Sequence, residues 1–137
     1  MRQKYKIMTF KILRQRDFSC KLKATVQQSG KLNFTESTST VLGLTDRTYI
    51  KFATDDENDM YMIIVAEAEA DSFRVCKSGR YFYIPARMIF DAQGIDYINK
   101  AVIFDLQRRS EFDEELRGSV YRMNRRENIR KRKEDVQ

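Results

Sequence analysis

The sequence has no histidine and no tryptophan, one proline and two cysteines. Without histidine, the commonest general base, the Ser-His and Cys-His couples and the commonest metal ligand are all missing. Neither Cys20 nor Cys76 has a CxxC neighbour, which leaves zinc binding and dithiol redox chemistry unsupported. Two buried thiols in a reducing cytoplasm fit better than one disulfide. There is no GxGxxG motif and no P-loop to cradle nucleotide phosphates. No apolar run approaches the roughly 20 residues that span a bilayer, and the basic start lacks the apolar stretch of a secretory signal. These absences point to a non-enzymatic cytoplasmic protein with no cofactor, no small-molecule substrate and no membrane partner.

What is present is charge, unevenly placed. The 137 residues carry 26 Lys/Arg against 20 Asp/Glu, a net +6. Residues 1–23 hold eight bases and one acid, 24–106 eight against twelve, and 107–137 ten against seven. Basic ends around a mildly acidic middle attract polyanions; a merely soluble surface is the plain alternative.

Length and composition fit one domain. Strands are predicted over Tyr5–Leu13, Phe18–Val26, Lys31–Phe34, Tyr49–Ala53, Met60–Ala66, Phe73–Cys76, Tyr81–Ile84 and Ala101–Leu106, from β-branched and aromatic content between turn signals. A Ser/Thr-rich helix is expected over Glu36–Leu42, ended by Gly43, and another over Ala86–Gln93, with Pro85 at its first position and Gly94 at its end. The acidic run from Thr54 to Asp59 reads as a hairpin loop, because it lacks the glycine and glutamate of a calcium loop. Phe112, Leu116, Val120 and Met123 recur at helical spacing and predict a C-terminal helix. The fold class is therefore α+β: mainly antiparallel strands, two short helices, a C-terminal helix and a basic tail. Residues 1–121 form the domain and 122–137 the flexible tail.

Two segments share a layout. Ser29-Gly30-Lys31, a strand, a short helix, Gly43-Leu44 and a strand are followed by Ser78-Gly79-Arg80, a strand, a short helix, Gly94-Ile95 and a strand. They read either as repeats over 29–66 and 78–106 or as glycines that each end a local element. With Gly30-Lys31, Gly43-Leu44, Gly79-Arg80, Ile84-Pro85 and Gly94-Ile95, residues 29–52 and 78–104 resemble the AbrB/MraZ family of swapped-hairpin DNA-binding domains. The first segment departs from that pattern, with Phe34-Thr35 where Ile-Pro is usual. The resemblance implies that Lys31, Arg80 and Arg87 contact phosphates or bases from a dimer or ring.

Bases and aromatics also meet locally. Lys77, Arg80 and Arg87 bracket Tyr81-Phe82-Tyr83, and strand alternation puts both tyrosines on one face and Phe82 on the other. From Arg122 to Lys133 of the tail, Arg122, Arg125, Arg126, Arg130, Lys131, Arg132 and Lys133 stand against one acid, Glu127. The leading expectation is a nucleic-acid-binding or transcription-regulating protein, a homo-oligomer that binds DNA or RNA through these residues. The alternative is an assembly module that docks a partner through Phe112, Leu116, Val120 and Met123 of the C-terminal helix.

Overall fold

A computed structural model describes residues 9, 10, 12 and 22–129. The strands are β1 (Lys23–Val26), β2 (Lys31–Phe34), β3 (Tyr49–Thr54), β4 (Met60–Val65), β5 (Phe73–Arg74), β6 (Cys76–Ser78), β7 (Tyr81–Pro85), β8 (Lys100–Arg108) and β9 (Ser119–Ile129). The helices are α1 (Glu36–Leu42), α2 (Arg87–Ala92) and α3 (Asp113–Leu116), the last preceded by a 3-10 turn at Ser110–Phe112. Pro85 ends β7 and the helix begins two residues later, so proline closes the strand instead of opening the helix. Most of the predicted strand Tyr5–Leu13 lies outside the described residues, as does Cys20; Phe10 and Ile12 are exposed and in no strand. Cys76 is a free thiol, half-buried instead of fully buried.

All strand pairs are antiparallel, in the order β5-β3-β4-β9-β8-β1-β2-β7-β6. β5 and β6 are two parts of one bent segment. Its first part pairs with β3, its second with β7, and the N–H of Val75 between them donates to Thr48 at 2.9 Å. The sheet therefore curls into a nearly closed barrel. Alternation sends Ala24, Val26, Leu32, Phe34, Ile84 and Phe104 inward, all essentially inaccessible. Phe90 of α2 is buried within the same core, stacked on Phe104 at 6.0 Å and edge-on to Phe52 at 6.5 Å. Each side chain of this size contributes roughly 1.5–3 kcal/mol on burial.

The pairing interleaves the two halves of the chain. Hairpin β1–β2 lies between β8 and β7, and hairpin β3–β4 between β5 and β9. Every neighbour of a first-half hairpin thus comes from the second half. The helix ends correspond as well. Gly43 and Gly94 take φ of 68° and 69°, and the N–H groups of Leu44 and Ile95 each donate back across the cap at 3.0 Å, to Ser39 and Phe90. This left-handed cap favours glycine because a β-carbon would crowd the backbone.

The Ser/Thr content of α1 is used as caps and anchors. Thr35 Oγ1 accepts the N–H of Thr38 at 3.2 Å and donates to Thr38 Oγ1 at 2.8 Å. Thr38 Oγ1, fully buried, accepts the N–H of Lys23 at 2.8 Å and ties the helix start to β1.

The C-terminal part corrects the sequence reading. No helix runs from Ser110 to Met123. Arg117 turns left-handed at φ 56° and ends α3 after one turn, and β9 follows. Residues 122–129 are strand, paired along their length with β8, and not a tail. The apolar spacing has a different origin: Phe112 and Leu116 pack from the helical turn and Val120 from the strand. Together with Tyr61, Ile63 and Val65 they form a satellite core on the outer face of β4 and β9, whereas Met123 points into the barrel. A docking stripe of the four residues does not exist. Gly118 permits this arrangement, since a β-carbon there would stand 2.5 Å from Ile63 Cγ2 and 2.6 Å from the Ile64 carbonyl oxygen.

Candidate nucleic-acid interface

The outer face of β2 and β7 is built by the same alternation that fills the barrel. Leu32, Phe34 and Ile84 point in, so Lys31, Asn33, Tyr81 and Tyr83 point out. The register sets Asn33 opposite Tyr83, and Lys31 opposite Pro85. With Gln27 and Ser78 they line an open groove of about 210 Å³. Lys31 Nζ stands 4.5 Å from the centre of the Tyr83 ring, while Tyr81 is about half exposed. Phe82 turns towards the core, half-buried, with Lys77 Nζ 5.7 Å from its ring. A cation over one aromatic ring beside an uncovered second ring can bind a phosphate and stack a base.

Arg80 and Arg87 flank this face at the two ends of β2. Arg80 is 76% exposed and 4.0 Å from Glu36; Arg87 is 68% exposed and 3.6 Å from Asp91. Exposed pairs of this length contribute roughly 0–1 kcal/mol and give way readily to a stronger anion. Asp91 also accepts the Tyr97 hydroxyl at 2.7 Å, a bond that raises the tyrosine pKa. The base of the Arg87 side chain is held close against Gly30, and Gln28 donates to the Ile98 carbonyl at 3.0 Å. The turn before β2 and the start of α2 therefore form one surface.

The arginines of the C-terminal segment are placed differently. Arg122 meets Asp59 at 2.9 Å, Arg125 meets Glu127 at 3.2 Å, and Arg126 grips both carboxylate oxygens of Asp105, one of them at 3.0 Å. The bond to Asp105 also raises the Arg126 pKa. These three sit on β9, separated from β2 around the barrel by β8 and β1. The fold does not bring them together with Lys31, Arg80 and Arg87. Arg130, Lys131, Arg132 and Lys133 lie outside the described residues.

Sequence reasoning missed Gln27, Asn33 and Ser78 in the groove. Asn33 was findable, because Lys-Leu-Asn-Phe alternates cleanly; Gln27 and Ser78 reach the groove only through the β2–β7 and β6–β7 pairings. The acidic loop is a hairpin turn organised by Asp55. Its Oδ1 accepts the N–H groups of Glu57 and Asp59, both at 2.9 Å, and its Oδ2 the Tyr61 hydroxyl at 3.0 Å. The Asp59 backbone bond leads in lowering the Asp55 pKa. Among the described residues no cluster of three or more acidic or cysteine side chains is arranged to hold a metal ion, and no helix is long and apolar enough to cross a membrane. No family model matches the chain, and neither a curated protein nor a solved structure matches it.

Proposed function

We propose that this chain is a non-enzymatic, cytoplasmic nucleic-acid-binding protein with a regulatory role, which contacts its target through the outer face of β2 and β7. The observation that carries the reading is the groove itself: Lys31, Asn33, Tyr81 and Tyr83 emerge side by side from two adjacent strands. Arg80 and Arg87 stand at its ends in weak, exposed ion pairs. Phosphates contact the cations and unstacked bases lie on Tyr81, a mode that suits single strands better than a duplex. The interleaved hairpins and matched helix ends support an internal duplication of the kind that the AbrB/MraZ resemblance implies. One chain then supplies both halves of the barrel, and assembly into a homo-oligomer multiplies the contacts. Arg122, Arg125 and Arg126, with Arg130 to Lys133, add salt-dependent affinity with little sequence choice.

The test is fluorescence anisotropy with labelled duplex DNA, single-stranded DNA and RNA over a salt series. It compares the full chain, a chain ending at Ile129, the pair Tyr81→Ala with Tyr83→Ala, and Lys31→Ala with Arg87→Ala. Loss of binding in the tyrosine pair, with a shallower salt slope in the Lys31/Arg87 pair, supports the groove. Undiminished binding by both pairs moves the site elsewhere, and no binding by the full chain at low salt ends the proposal. Truncation must not reach into β9, which forms central pairs with β4 and β8.

A further inference from the structure

β9 is eleven residues long and its neighbour β4 only six. Their shared ladder stops at Met60 opposite Met123, while β9 continues along β8 to Ile129. Beyond Met123 one side of β9 is therefore an open edge. Which groups face it follows from the ladder. The N–H of Arg109 donates to the Val120 carbonyl at 2.9 Å. In an antiparallel pair, hydrogen-bonded and non-hydrogen-bonded pairs alternate. Asn124, Arg126 and Asn128 thus bond β8, and the N–H and C=O groups of Arg125, Glu127 and Ile129 point away from it. Among the described residues none bonds these groups.

We propose that this edge docks an extended acidic peptide, which adds as a further strand in line with β4. Three observations select that occupant. First, the edge offers donors and acceptors together at a two-residue repeat, which a second peptide backbone returns and a phosphodiester backbone, lacking N–H groups, does not. Second, the edge opens at its near end onto a cavity of about 360 Å³ rimmed by Asn58, Gln93, Arg122, Asn124 and Arg125. Its one carboxylate, Asp59, is already held by Arg122. Arg125 is likewise paired with Glu127, so an acidic side chain is received by the remaining N–H donors of the two guanidinium groups and by the three carboxamides. Third, residues 122–129 carry three bases, Arg122, Arg125 and Arg126, against one acid, Glu127, so the same edge of a second copy is disfavoured. Unlike many natural edges, this one has no proline to block addition.

The experiment titrates a fluorescein-labelled six-residue peptide of alternating glutamate and valine into the full chain, beside a lysine-valine peptide of equal length. Glu127→Pro removes one outward N–H and leaves the β8 ladder bonds intact, whereas Glu127→Ala keeps that N–H. Expected are micromolar binding of the acidic peptide only, at least tenfold weaker binding by Glu127→Pro, and no weakening by Glu127→Ala. Amide exchange of the unmodified chain is read alongside, with slowing at Arg125, Glu127 and Ile129 when peptide is added; this arm decides the matter even where the proline variant folds poorly. Equal binding of both peptides, unweakened binding by Glu127→Pro, or unchanged exchange at those amides overturns the proposal. Nucleic-acid binding is measured separately on the same variants and stands or falls independently.

Discussion

Gly30 and Arg87, from opposite halves of the chain, approach so closely that a β-carbon on Gly30 would lie 2.5 Å from Arg87 Cβ, 2.8 Å from its Cγ and 3.0 Å from its Cα. Gly30 also takes φ +90°, which disfavours any side chain. This contact locks the turn before β2 to the start of α2 and fixes where the Arg87 guanidinium leaves the surface. Gly30→Ala is expected to destabilise the fold by about 1–3 kcal/mol through strain alone, read by chemical denaturation. Gly43→Ala, with open space around the position, should cost less.

Thr38 is the polar joint between α1 and β1. Thr38→Val keeps the shape but leaves the partly buried Lys23 N–H without its acceptor. A fully buried donor left unsatisfied costs about 1–3 kcal/mol, and this partly buried one should lie towards the lower end. A smaller loss would mean that water reaches this N–H.

The satellite core predicts a stability effect where a partner-docking helix would predict a binding effect. Phe112 lies edge-on to Tyr61 at 5.8 Å, and Val120 beside it is fully buried. Val120→Ala should cost about 1–3 kcal/mol. Gly118→Ala should be at least as costly, since its nearest obstacles include the Ile64 backbone. Wild-type unfolding midpoints for both variants would contradict the placement of β9.

Asp113 gives a pH signature. Arg108 clasps both its oxygens at 2.6 Å and the Val120 N–H donates to it at 3.0 Å, holding its pKa at about 2, against 3.8. A carboxylate depressed on folding stabilises the native state above its unfolded pKa. That stability is lost as pH falls from about 4 towards 2. Asp113→Asn should lower the melting temperature at pH 7 and show a shallower decline between pH 4 and pH 2. Parallel curves for the two proteins would place the acid sensitivity in other groups.

How far the candidate site was legible depends on the range of the interactions that build it. Tyr81 to Tyr83 were readable because alternation is local, whereas Lys31 was singled out only by the family resemblance. Arg122, Arg125 and Arg126 looked like a free basic tail, because a strand stabilised by its partner needs no apolar pattern of its own. The ladder with β8 holds them in place, and Asp59, Asp105 and Glu127 occupy their guanidinium groups. Only Glu127 is close in sequence; Asp59 and Asp105 lie 63 and 21 residues from the arginines that they hold.

The amino-acid sequence alone determined the local elements: β2, α1 with its Gly43 cap, the β3–β4 hairpin and β7 follow from alternation, capping and turn chemistry acting over a few residues. Tertiary structure decided the rest. The interleaving of the hairpins, the conversion of the C-terminal segment into β9 and the open edge beyond Met123 depend on pairings between residues far apart in the chain. Such pairings are selected by the burial and hydrogen bonding of the completed barrel, which no short window of sequence contains.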